Sequence, residues 1–309
     1  MEGLVIKSMG SSYTVRNADG TKLECRLKGK FKIQGIKATN PIAVGDRVEF
    51  TIMPDGVGQI SEIKERFNYI IRKATNLSKS THVLAANIDK AYLIATIAQP
   101  RTSSGFIDRF LVTAEAYHIP ATILINKKDL LTEEQFTSAR ELLAMYEGIG
   151  YPGKIISSFD PVDIEELCEE LKGKINLFSG HSGVGKSSLI NAIDPKFQLK
   201  VENISAYHKK GIHTTTFAEM HEIANGGFII DTPGIKEFGL IDFLKEEVAL
   251  YFPEMKELLS KCQYYNCTHQ HEPRCAVKEA LKSGEISVSR YSNYIGIMKD
   301  EYFNENEWD

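Results

Sequence analysis

Over residues 1 to 68 apolar and polar positions alternate in short runs: Leu4-Val5-Ile6, Tyr13-Thr14-Val15, Leu23 to Leu27, Arg47 to Ile52 and Gly58 to Ile63. Alternation with period two puts the apolar side chains on one face of a strand, and Asn17 to Gly20, Gly45-Asp46 and Pro54-Asp55-Gly56 supply the turns. Five strands so spaced predict an OB-type β-barrel. Beyond residue 68 the pattern changes. Ala121 to Ile125, Ile175 to Phe178 and Gly227 to Ile230 are short, largely apolar runs, as in strands covered on both faces of a parallel sheet, and Asp163 to Leu171 and Ser187 to Ile193 read as helices. A central α/β domain is therefore expected over 69–240. Helical stretches from Asp242 to Lys261 and Ala276 to Lys282 predict a mostly α domain over 241–309, with an acidic, frayed tail from Tyr302 to Asp309.

The turn after Ile175 to Phe178 is Gly180-His181-Ser182-Gly183-Val184-Gly185-Lys186-Ser187, followed by Ser188. A Gly-rich turn between strand and helix lets successive N–H groups and the helix N-terminus surround phosphate oxygens. Lys186 adds a point charge for the β- and γ-phosphates, and the Ser187 hydroxyl is placed to ligand Mg²⁺. These residues define a P-loop for a nucleoside triphosphate without choosing the base.

Guanine is argued from Asn126-Lys127-Lys128-Asp129, at the end of Ala121 to Ile125. An ionised Asp129 accepts two hydrogen bonds from the N1–H and exocyclic amine of guanine, a donor pair adenine lacks. Asn126 bonds the other edge, and the Lys127 stem lies along the ring. Ile155-Ile156-Ser157-Ser158 follows one helix later, and by position its backbone braces the base. Asp231-Thr232-Pro233-Gly234 completes the set: Asp231 holds Mg²⁺ through water and Gly234 offers its N–H to the γ-phosphate. The base-reading motif precedes the phosphate loop, and Asp231 to Gly234 comes last, so the domain is circularly permuted.

Between phosphate loop and Asp231 lies Gly211-Ile212-His213-Thr214-Thr215-Thr216, a switch segment in which one of Thr214, Thr215 and Thr216 completes the Mg²⁺ shell in the triphosphate state. The residue after Gly234 is Ile235, which has no donor or acceptor where many small GTPases place a water-orienting glutamine. His213 is the local candidate for that catalytic role, because imidazole accepts a proton near neutral pH. The alternative is a partner that supplies the missing group.

Three of the five cysteines fall in Cys262-x4-Cys267-x-His269-x5-Cys275. Three thiolates and one imidazole suit one structural Zn²⁺, with His271 as a competing ligand by proximity. Cys25 and Cys168 read as packing residues. No apolar run approaches the roughly 18 to 20 residues that span a bilayer, and Met1-Glu2-Gly3 carries no signal pattern, so a cytoplasmic chain without membrane contact is expected. The net charge is −4, yet residues 1–68 hold 11 Lys and Arg against 8 Asp and Glu, densest at Lys28, Lys30, Phe31, Lys32 and Lys37. RNA contact is expected there or not at all, since a solvated loop has the same composition.

The permuted order, Gly180 to Ser188, His213 to Thr216, Asp231 to Gly234 and the Cys262, Cys267, His269, Cys275 set resemble the RsgA family of small ribosomal subunit biogenesis GTPases over nearly the whole chain. The resemblance implies three parts: an N-terminal OB-fold barrel, a circularly permuted P-loop GTPase domain and a C-terminal zinc domain. It further implies GTP and GDP with Mg²⁺, binding to 16S rRNA in the 30S subunit, stimulation by that subunit late in its maturation, and a monomer. A P-loop ATPase or kinase is disfavoured by Asp129. A non-hydrolysing RNA-binding scaffold, with Ile235 marking a dead site, is disfavoured by Lys186, Ser187, Asp231 and the threonine run. His213→Ala is expected to lower GTP turnover at least about tenfold while leaving nucleotide affinity within about twofold, because a water-positioning group acts in the transition state; unchanged stimulated turnover removes His213 from the mechanism.

Overall fold

The computed structural model describes residues 1–28, 41–73, 81–197, 219–231 and 245–299. Lys30, Phe31, Lys32, Lys37, His213 to Thr216, Gly234 and Tyr302 to Asp309 lie outside the described residues. In chain order the strands are β1 Glu2–Met9, β2 Ser12–Asn17, β3 Lys22–Leu27, β4 Arg47–Ile52, β5 Gly58–Ile63, β6 Tyr69–Lys73, β7 Thr81–Ala86, β8 Lys90–Ala95, β9 Ala121–Ile125, β10 Gly153–Ile155, β11 Ile175–Ser179, β12 Glu219–Glu222 and β13 Phe228–Asp231. The helices are α1 Ser104–Ala116, α2 Glu133–Glu147, α3 Pro161–Leu171, α4 Lys186–Ile193, α5 Pro253–Lys256, α6 Ala276–Ser283 and α7 Val288–Met298. The chain divides into two compact units, one of residues 1–92 with 158–237, the other of 93–157 with 238–309.

In the first unit the alternating N-terminal segments form a closed five-stranded barrel, in the order β1-β2-β3-β5-β4 with β4 pairing back to β1. Its core is the inward set that alternation predicts: Val5, Tyr13, Val15, Cys25, Val48, Phe50 and Ile60, joined by Ile42. Gly58 is required at one crossing, because a Cβ there would collide with Cys25 Sγ. Burial, with the Glu24 charge, pushes the Cys25 thiol up to about 11, so it behaves as an apolar packing group. Below the barrel Asp46, wholly buried, accepts Arg66 Nε at 2.7 Å and Nη2 at 2.6 Å and the Ala43 amide at 2.9 Å.

The same unit carries the phosphate-loop half of the α/β sheet. β11 and β13 are parallel, with Ile175 beside Phe228, as their largely apolar runs predict. β12 is antiparallel to β13 and meets β1 through Lys7 opposite Glu219, so the barrel continues the sheet in the order β11-β13-β12-β1.

In the second unit β9 and β10 are parallel, with Ile123 beside Gly153, and α1 and α2 flank the base-reading turn in sequence. The expected helix from Asp242 to Lys261 is instead three short pieces, a 3-10 turn at Lys245–Tyr251, α5 and a second 3-10 turn at Leu259–Lys261. Pro253 accounts for the first of the two breaks. It has no N–H and holds Phe252 extended at φ −109° and ψ 101°, which breaks the helix and restarts it. These pieces, α6 and α7 pack with Val112 of α1 around Val248, Phe252, Met255, Val277 and Tyr294.

The helix α7 was not visible in the apolar pattern, and it carries a fully buried Arg290. Arg290 donates from Nη1 to Asp108 Oδ1 at 2.7 Å and from Nε and Nη2 to the Glu254 carboxylate at 2.7 and 3.0 Å, with its guanidinium 4.4 Å from the Phe252 ring centroid. Tyr146 of α2 donates to the same Asp108 oxygen at 2.7 Å, and Asn293 donates to the other at 2.6 Å. A carboxylate stripped of water is tolerable with this many donors. Arg290→Met, which strands Asp108 and Glu254 without a countercharge, is expected to cost about 3 to 5 kcal/mol in urea unfolding, whereas Val288→Ala, at an exposed site, stays within about 0.5 kcal/mol.

Candidate functional site

The phosphate loop is built by β11, every residue of which is buried, and by α4, which begins at Lys186. Gly183 and Gly185 have φ of 84° and 91°, values that residues with side chains rarely adopt, and Gly185 is the N-cap of α4. Those amides carry the positive end of the helix dipole and turn an anion site toward the loop. Val184 is wholly buried and pins the loop to the core. Lys186 Nζ lies 3.4 Å from Gly180 O, folded over the loop, with Ser187 and Ser188 half-buried behind it.

The base-reading turn is built by β9, also buried throughout. Asn126 is buried, its amide donating to Ala95 O at 2.8 Å. Lys127 takes a left-handed conformation, φ 66° and ψ 38°, and its Nζ donates to Gln99 O at 2.6 Å. Burial lowers its pKa and the nearby Asp129 opposes the shift. Asp129 is exposed, and the Ser157 hydroxyl donates to its Oδ1. The Lys128 amide donates to Ile156 O at 3.0 Å, which ties the 126–129 turn to the strand end carrying Ser157. Asn126, Lys127, Asp129 and Ser157 thus come together. Ser157 acts here through its hydroxyl, where the sequence suggested only its backbone, and it leaves Asp129 Oδ2 and further lone pairs for a base edge. Gln99 escaped sequence reasoning because it contributes a carbonyl, which every residue type has. Ser158 follows directly and lines a cavity of about 350 Å³ with Phe159, Pro161, Ile164 and Ala192.

Cys262, Cys267, His269 and Cys275 place one ligand atom each within 4.8 Å of one another. His269 Nδ1 lies 3.7 Å from Cys262 Sγ and 3.3 Å from Cys275 Sγ, against about 3.6 Å for S and N ligands on one tetrahedral zinc. His269 is fully buried, burial lowers its pKa toward the neutral, ligating form, and its Nε2 has no partner among the described residues. His271 is exposed and outside the set, which decides between the two histidines. Burial pushes the Cys267 thiol up to about 12, the state of crowded thiols before a cation stabilises their thiolates. The loop is held from within and from without. Glu272 accepts from the Thr268 amide and hydroxyl at 2.8 and 2.6 Å and from the Gln270 and His271 amides at 3.0 and 3.1 Å. Burial works against its ionisation, but these bonds prevail and bring it down to about 2. From α7, Tyr291 donates to His269 O at 2.7 Å and Tyr294 to Thr268 O at 2.8 Å. The set is consistent with one zinc ion.

A P-loop between strand and helix, preceded in the chain by a guanine-type turn and followed by Asp231 at the end of β13, defines a circularly permuted GTPase with a barrel before it and a Cys₃His segment after it. The sequence model of the RsgA GTPase matches residues 63–241, and that of the RsgA N-terminal domain matches 2–60. The chain belongs to the RsgA GTPase family. It is similar to the small ribosomal subunit biogenesis GTPase RsgA of Bacteroides fragilis, 50% identical over 97% of each chain, and to that of Phocaeicola vulgatus, 52% identical over 97% of each. Among solved structures it is similar to YjeQ from Thermotoga maritima (TM-score 0.79, 38% identity, 97% of each chain) and to YloQ, described as a circularly permuted GTPase (TM-score 0.75, 31% identity, 97% of this chain and 94% of that one). A GTPase family uses GTP, GDP and Mg²⁺, and the donors in the phosphate loop fit that ligand set. Among the described residues no helix is long and apolar enough to cross a membrane.

Elemental analysis of the purified chain is expected to give about one zinc per chain, and Cys275→Ser, which removes a buried ligand, is expected to reduce it well below that ratio.

Proposed function

We propose that the chain hydrolyses GTP under stimulation by the 30S ribosomal subunit, acts in the late maturation of that subunit and contacts its 16S rRNA as a cytoplasmic monomer. The observation that carries this reading is the likeness over 97% of the chain to relatives named small ribosomal subunit biogenesis GTPase. In this reading residues 1–68 are the RNA-binding barrel, 69–240 the GTPase domain and 241–309 the zinc domain.

Asn126, Lys127 and Asp129 read guanine, with Ser157 orienting the Asp129 carboxylate and Ser158 beside it. Gly180, His181, Ser182, Gly183, Val184 and Gly185 surround the phosphates with backbone amides, and Lys186 and Ser188 add side-chain donors. Magnesium, when bound, neutralises charge between the β- and γ-phosphates. Ser187 and Asp231 hold it, with one of Thr214, Thr215 and Thr216, and Gly234 donates to the γ-phosphate. His213 positions the attacking water. Since Ile235 supplies no polar group, hydrolysis stays slow until the subunit orders the site. Cys262, Cys267, His269 and Cys275 hold the structural zinc.

The test is GTP hydrolysis by the purified chain alone, with 30S subunits and with 50S subunits, with ATP as control. The expected result is slow turnover raised by roughly tenfold or more with 30S only. Nucleotide binding without stimulated turnover would favour the scaffold, and equal use of ATP would undo the guanine assignment.

A further inference from the structure

Among the described residues, two contacts that join the barrel to the phosphate-loop half of the sheet stand out. One is the backbone pairing of Lys7 in β1 with Glu219 in β12. The other is a side-chain fork at the opposite end of β12. Arg16 of β2 donates from Nε to Glu222 Oε2 at 2.9 Å and from Nη2 to Glu222 Oε1 at 2.6 Å. Its Nη1 donates to Asn17 O at 3.3 Å, and the guanidinium sits 5.5 Å from the centroid of the Phe228 ring in β13. Glu222 and Phe228 are cross-strand partners, so Arg16 grips both strands of the β12–β13 hairpin. Both side chains are about three-quarters covered, at 24% and 27% exposure.

The position of this hairpin in the chain gives the grip its meaning. Six residues before Glu222 stands Thr216, last of the three switch threonines, and β13 ends at Asp231, which opens Asp231-Thr232-Pro233-Gly234. The two segments assigned to sense the γ-phosphate therefore bracket the two strands that Arg16 holds. We propose that the Arg16–Glu222 fork couples nucleotide state to RNA affinity, by fixing the barrel to the β12–β13 hairpin in one register. The inference rests on the reading of the barrel as the RNA-binding part.

The chemistry of the pair suits such a role. A guanidinium meets a carboxylate with two parallel bonds only in one plane and at one offset. A slide of β12 by a single residue, about 3.3 Å, breaks both bonds together, so the fork responds as two states and not as a graded spring. Lysine at 16 would keep the charge and lose this geometry. The coupling is reciprocal: whatever factor GTP over GDP contributes to RNA affinity, bound RNA returns to the preference for GTP.

The experiment measures the affinity for 30S subunits with a non-hydrolysable GTP analogue and with GDP, for the wild type, Arg16→Gln, Glu222→Gln and the swap Arg16→Glu with Glu222→Arg. Nucleotide affinity without subunits serves as the control for folding and is expected to stay within about twofold of wild type in all three variants, since neither residue belongs to the nucleotide site. The ratio of the two 30S affinities is expected to fall about fivefold or more toward one in each single variant and to recover in the swap. A ratio within about twofold of wild type in both single variants overturns the coupling, as does a loss that the swap fails to restore. Absence of 30S-stimulated hydrolysis in the wild type is a different failure: it removes the ribosomal reading itself.

Discussion

A parallel strand buried on both faces has only its ends open to water, and the arrangement of this molecule follows from that constraint. β9 and β11 are buried at every position and pair with their neighbours in parallel register, so the residues placed to meet a ligand lie where each strand stops. Asn126 to Asp129 begins at the end of β9, Gly180 to Lys186 at the end of β11, and Asp231 is the last residue of β13. The strand ends do this irrespective of which strand the chain visits first. Circular permutation therefore changes the order of the motifs without changing what each must be attached to.

Much of this was legible because it depends on short-range pattern. Period-two alternation located all five barrel strands, and largely apolar runs located β9, β11 and β13 to within a residue. The zinc ligands were legible from residue type and spacing, the Cys-x-His step favouring His269 over His271, and the structure gathers that same set with His271 exposed outside it. What escaped has a common origin in distance along the chain. Arg290 reads by its type as a solvent residue, and its buried partner Asp108 is 182 residues away. The Lys127 contact with Gln99 is made to a carbonyl, which leaves no trace in residue type. The break at Pro253 is legible in principle, because a proline has no N–H to continue a helix.

The C-terminal segment shows how a small metal site can be made part of a larger body. Its ligand loop is short, and the carboxylate of Glu272 fastens its amides from within while two tyrosines of α7 fasten its carbonyls from without. The same helix is anchored through Arg290 and Asn293 to α1. Helix α7 thus bears on both the ligand loop, through Tyr291 and Tyr294, and α1, through Arg290 and Asn293.

β1 serves the barrel with its first residues, pairing Glu2 to Leu4 with β4, and the sheet with Lys7, beyond a bulge between Val5 and Lys7. The barrel can close from local partners alone, but the hairpin it docks on is encoded 206 residues after Arg16. At a synthesis rate of about 5 to 20 residues per second, the outer edge of β1 stands open for roughly 10 to 40 s on the ribosome before β12 emerges to cover it. The bulge, which twists the strand, and a lysine on the open edge are the features that keep such an edge from recruiting another nascent chain in that interval.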